Sequence, residues 1–135
     1  MPSLKGNDWI DWFRYAKEDK EEAIDRFSHR KWREACYHSQ QAIEKLLKAY
    51  LTSINVRTGK THDIAFLLNL CVEKDRDFES LPIEELSKLT FYAVEIRYPD
   101  EFYFPSVEEA ENAIKLVEEV KNFVVKKLKE KGYKL

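Results

Sequence analysis

Apolar residues recur along this chain at three- and four-residue steps, the spacing that lines one face of an α-helix. From about residue 8 to 27 the stripe is Trp9, Trp12, Phe13, Ala16, Ala23, Ile24 and Phe27, with Asn7 or Asp8 placed to cap it. From about 31 to 54 it is Trp32, Ala35, Cys36, Ser39, Ala42, Ile43, Leu46, Leu47 and Tyr50. Asn55 and Gly59, which tolerate a left-handed backbone, end that helix. A shorter helix follows from Thr61, its expected cap, to about Glu73, with Ile64, Leu67, Leu68 and Cys71 on its apolar edge. The stretch 74–80 reads as a charged loop. Pro82, with Glu84 and Glu85, opens a fourth helix that Pro99 forces to end near Arg97. Its inner face is Leu86, Leu89, Thr90, Ala93 and Ile96.

The loop 98–105 is unusually aromatic. Ser106 and Glu109 then form a capping box, with the glutamate expected to reach back to the serine. The fifth helix carries Val107, Ala110, Ile114, Val117, Lys121, Val124 and Leu128 on one line. Helices this long, joined by short connections, predict an all-α, up-and-down bundle of four long helices plus one short helix. It forms a single domain over residues 1–135, with 1–7 and 130–135 as frayed tails.

Composition narrows the classes. The 135 residues suit one core, and 3 Gly and 4 Pro are too few for a sandwich or barrel built on tight turns. Charged residues make up 36%, yet the net charge is −2, so the chain is not a general DNA or polyanion binder, although a local basic patch is compatible with it. No apolar run reaches the ~18 residues that a membrane span needs, and none suits a signal peptide. Cys36 and Cys71 lie far apart and read as reduced, buried thiols of a cytoplasmic protein.

Metal chemistry finds no ligand set: His29, His38 and His62 form no HExxH or Glu-x-x-His motif, so neither a metal nor a cofactor is expected. The run Arg57–Thr61 lacks the upstream glycine of a phosphate loop and reads as a connector. In the second helix Gln41, Glu44, Lys45 and Lys48 gather beside the apolar stripe, with Glu44 and Lys48 in the favourable i,i+4 order. They read either as a solvated, salt-bridged face or as ligand contacts. His62 reads as a first-turn residue with a local hydrogen bond, or as a functional imidazole. Arg33 and His38 should diverge on a continuous helix, whereas Arg57 and His62 flank a turn. Trp9, Trp12 and Trp32 read as core or dimer contacts rather than base-stacking platforms.

Three blocks, in order, resemble the HEPN family (higher eukaryotes and prokaryotes nucleotide-binding). They are residues 35–49, Lys60-Thr61-His62-Asp63-Ile64 with Leu67-Leu68, and Arg97-Tyr98-Pro99-Asp100. The resemblance implies a small helical bundle that dimerises. It implies one of two roles: binding a nucleotide or substrate beside a separately encoded minimal nucleotidyltransferase, in a toxin–antitoxin-like setting, or metal-independent RNA cleavage. Ribonuclease members carry Arg, four to six residues, then His. Here Arg97 is followed at those positions by Phe102, Tyr103 and Phe104, so the pattern is broken. The resemblance therefore favours a binding module whose ligand contacts are Arg97, Tyr98, Asp100, Lys60, His62, Lys48, Gln41 and Glu44, with Arg97 and His62 the only catalytic candidates. A plain protein-interaction module, docking through its aromatic loop, is the remaining alternative. A homodimer formed through helices, with the Arg97–Asp100 segment near the interface, is expected from the aromatic loop and from the surplus of Trp9, Trp12 and Phe13 at the open end of the first helix.

Overall fold

The computed structural model describes residues 8–93 and 103–135. Among them the chain is all-α, as the periodicity predicts, with five α-helices: α1 (Asp8–Ser28), α2 (Trp32–Ser53), α3 (Ile64–Lys74), α4 (Ile83–Lys88) and α5 (Val107–Glu130). A three-residue turn joins α1 to α2 as an antiparallel hairpin, and Arg30 takes the left-handed conformation there (φ 60°). Helix α2 is the centre of the bundle and packs against α1, α3 and α5. Its apolar stripe is buried much as expected, with Ala35, Cys36, Ile43, Leu47 and Leu51 fully enclosed.

After α2, Asn55 (φ 63°) turns the chain, and residues 54–63 return along that helix until His62 lies beside Glu44. Helix α3 starts there. Its cap is Asp63 rather than Thr61: the Asp63 carboxylate accepts from the amides of Ala65 (3.0 Å) and Phe66 (3.3 Å). Thr61 serves one step earlier, its hydroxyl accepting from Asp63 N at 3.1 Å. A carboxylate placed directly before the first turn reaches the unpaired amides that Thr61 is too far back to meet.

Three other expectations change. The charged loop 74–80 holds a 3₁₀ turn, Arg76–Ser80, which buries Phe78 between Tyr50 (ring centroids 4.6 Å apart) and Phe123 (4.8 Å). Asp75 caps the turn by accepting from Asp77 N, and Lys127 of α5 holds both aspartates. The fourth helix is α-helical only as far as Lys88 and then tightens into a 3₁₀ segment, Leu89–Ala93. That tightening lets the Thr90 hydroxyl accept from Ile64 N (3.1 Å) and Tyr92 donate to Glu109 (3.1 Å). Residues 130–135, expected to fray, carry Tyr133, whose ring packs on Trp9 (4.8 Å) and whose hydroxyl donates to Ser53 O (3.4 Å).

The inner face of α5 is also rotated from the expected line. Ala113, Leu116, Val120 and Lys127 are buried, while Val107 is exposed. Of the tryptophans, Trp9 is core, so it does not supply the surplus apolar surface expected at the open end of α1. No described helix is long and apolar enough to cross a membrane.

Candidate functional site

The four-residue repeat of α2 puts Gln40, Glu44 and Lys48 on one line, and all three are buried. A carboxylate and an ammonium inside a helical bundle need partners, because desolvation of either ion alone costs several kcal/mol. The line supplies them. Lys48 Nζ donates to Glu44 Oε1 at 2.9 Å, and Gln40 Nε2 donates to Glu44 Oε2 at 3.4 Å. The Lys48 ammonium also lies 5.0 Å from the ring centre of Trp12, a cation–π contact that closes the site towards α1. Gln40 Nε2 further reaches His62 O at 3.3 Å, fastening the returning connector to the helix.

His62 completes the cluster. Its Nδ1 lies 2.9 Å from Glu44 Oε1, and its side chain is 65% exposed while that of Glu44 is 3%. The bond is thus not local, as a first-turn reading supposes. It spans 18 residues and joins the connector to the bundle centre. A carboxylate oxygen accepts, so the geometry makes Nδ1 the donor, and in the neutral ring that tautomer leaves the lone pair on Nε2. A buried carboxylate that sets the tautomer of an exposed imidazole is an arrangement suited to accepting a hydrogen bond or a proton from a ligand hydroxyl or amino group.

The other expected residues are placed unevenly. Gln41 is half-buried and donates to Gln40 Oε1 at 2.7 Å, so it supports the line from its flank. Lys48, expected among the ligand contacts, is only 3% exposed. Its ammonium is held between Glu44 and Trp12, so it supports the site from beneath. Lys60 stands exposed in the turn just before His62. Arg97, Tyr98 and Asp100 lie outside the described residues. Sequence reasoning misses Gln40. Its signal is the four-residue step to Glu44 and on to Lys48 within an otherwise apolar run. Lys45 and His38 belong to a different group: both pair with Asp19 of α1, His38 Nδ1 at 3.1 Å.

A second polar group borders the 94–102 segment. Ser106 caps α5 as expected, its hydroxyl accepting from Glu109 N at 3.1 Å, but the Glu109 carboxylate does not serve as the other half of the box. It accepts the hydroxyls of Tyr92 and Tyr103 instead. Burial first, and then the negative charge of Glu109, push the Cys36 thiol up to about 12, with a hydrogen bond from Tyr92 partly offsetting them. Tyr92 is raised by burial, and Tyr103 chiefly by its bond to Glu109, so both phenols keep their protons as donors.

The sequence matches the HEPN domain over residues 9–128. No curated protein matches it. Two solved structures are similar to the fold. TT1696 from Thermus thermophilus is 27% identical with a TM-score of 0.78, over 90% of this chain and 99% of that one. ST0689, an archaeal HEPN homologue, is 25% identical with a TM-score of 0.69, over 89% of this chain and 97% of that one. The family match takes in nearly all of the bundle, including the buried Gln40–Glu44–Lys48 line and His62, and on it the chain belongs to the HEPN domain family.

Proposed function

We propose that this protein is a nucleotide- or substrate-binding HEPN module that works as a homodimer beside a separately encoded minimal nucleotidyltransferase. The observation that carries the reading is the Glu44–His62 pair: a buried, neutralised carboxylate orienting an exposed imidazole. Such a pair binds and orients a polar ligand with little further machinery. The broken Arg-to-His spacing after Arg97, where Phe102, Tyr103 and Phe104 stand, argues for binding rather than cleavage. Exposed Phe91, Tyr103 and Phe104, which flank the 94–102 segment, supply the apolar surface that an interface through that segment would cover.

Calorimetric titration with ATP and other nucleotides, alone and with a candidate transferase, tests the reading. The expected result is binding that His62→Ala weakens and Lys60→Ala weakens less. Absence of heat at millimolar nucleotide in both settings overturns it.

The same oriented imidazole favours one rival, a metal-independent ribonuclease with His62 as base. Cleavage of labelled RNA in chelator that His62→Ala abolishes would establish that rival in place of the binding module.

A further inference from the structure

Where α1 begins, the α1–α2 hairpin holds a concave pocket of ≈ 270 Å³. Asp8, Asp11, Trp12 and Tyr15 share one face of α1 and line it from one side, and Thr52 of α2 lines it from the other. The lining has two carboxylates and two aromatic rings but no cationic side chain. The helix start accounts for the acids, because negative charge is stabilised in the first turn. It does not account for the rest. Thr52 is only 7% exposed, yet its hydroxyl has no hydrogen-bond partner among the described residues, not even the carbonyl one turn back that a helical threonine commonly takes. The Asp11 carboxylate has no ion-pair partner among them either. Tyr15 is 54% exposed. The Trp12 ring already receives one cation, Lys48 Nζ at 5.0 Å from its centre, and that ammonium is neutralised by Glu44.

We propose that this pocket binds the primary ammonium end of a short aliphatic amine, with the ammonium donating to Asp11 and to the Thr52 hydroxyl and the stem lying against Trp12 and Tyr15. Each part of the lining selects one property of that ligand. Unopposed carboxylates call for positive charge, and a charge-assisted N–H bond to Asp11 is the strong contact. The enclosed Thr52 hydroxyl calls for an N–H donor, which satisfies a buried polar group that the fold leaves unpaired. The rings attract a cation electrostatically and cover an apolar stem. A metal ion would gain nothing from the rings, and no group of three His, Cys, Asp or Glu able to hold one occurs among the described residues. A quaternary ammonium would meet the rings and the charge but would leave Thr52 unsatisfied. The volume suits a ligand of a few heavy atoms. The site is separate from the Glu44–His62 pair and does not rest on the function proposed for it.

Chemical-shift mapping with butane-1,4-diamine as probe, at constant ionic strength, reads the site directly. Saturable shifts are expected at the amides of residues 8–15 and 52 and at the indole N–H of Trp12. Asp11 is exposed, so Asp11→Asn keeps the fold, and it should weaken the binding at least about tenfold. Thr52→Val, which keeps the shape and removes the hydroxyl, should weaken it about threefold or more. His62→Ala should leave it unchanged, so loss of the His62 site and loss of this one are told apart. Butan-1-amine should retain most of the affinity. Tetramethylammonium, which has the charge without the donors, and butane-1,4-diol, which has no charge, should each bind at least about tenfold more weakly. No saturable shift at millimolar diamine, tetramethylammonium or potassium binding as tightly as the diamine, or affinity unchanged by Asp11→Asn would each overturn the proposal.

Discussion

Lys48 and Lys127 are both enclosed, yet their surroundings demand different things of them. Lys48 has one carboxylate, Glu44, and one ring, Trp12. Replacing Lys48 with Met strips a buried carboxylate of its cation, and we expect a loss of about 3–5 kcal/mol in urea unfolding. Adding Glu44→Gln to that variant should restore most of the loss, since the pair is then replaced by neutral groups. Lys127 instead faces Asp75, Asp77 and Glu130. Burial alone would lower its pKa, but hydrogen bonds to the two aspartates overcome that and raise it. Asp75 moves the other way: the hydrogen bond from Lys127 holds its carboxyl below the ordinary 3.8. A depressed folded value means that the stabilisation is complete above the unfolded value and drains away as pH falls through the folded one. Stability should therefore drop as pH falls below about 4, and Lys127→Met should flatten that limb of a pH series of urea midpoints. The elevated Lys127 contributes in full below its unfolded value, so neutral pH retains both effects. Cys36 and Cys71, both raised by burial, should react with a thiol reagent only as fast as the fold opens.

Among the elements, α1, α2 and α5 are legible in the sequence because each repeats its apolar residues over several turns. A long stripe outweighs local irregularity. The same logic fails where tertiary contacts decide. Phe78 stands among Asp75, Arg76, Asp77 and Glu79, and no periodicity announces that it enters the core between Tyr50 and Phe123. The fourth segment has good helical spacing, but the hydroxyls of Thr90 and Tyr92 tie its second half to α3 and α5 in a tighter coil. For the candidate site, Glu44, Lys48 and His62 can be picked out as residues, while their mutual contact cannot. It depends on the ten-residue connector 54–63 running back along α2, a path that no local pattern encodes. Because Thr90 links that segment to the first amide of α3, Thr90→Val should cost about 1–2 kcal/mol by leaving Ile64 N unpaired, measurable in the same unfolding assay.

At the level of the whole molecule, the exposed ring of Phe104 lies beside the α1–α2 turn, at the end of the bundle where α2 and α5 begin, while Trp9 and Tyr133 close the opposite end. Light scattering at micromolar concentration should give twice the 16.1 kDa of the chain. A monomer mass that persists on concentration would remove the dimer and any site shared across it. The Trp9–Tyr133 contact has a kinetic consequence. The α1–α2 hairpin closes through a three-residue turn, so its contacts are local and cheap to form early. The ring pair joins residues separated by almost the entire length of the chain and can form only once α5 has docked. Tyr133→Ala should therefore leave the refolding arm of a chevron nearly unchanged and steepen the loss in the other direction, the unfolding rate rising by most of the stability it forfeits. The bundle would then assemble as fast as before but stay assembled for less time, its lifetime governed by a clasp between two ends that meet last.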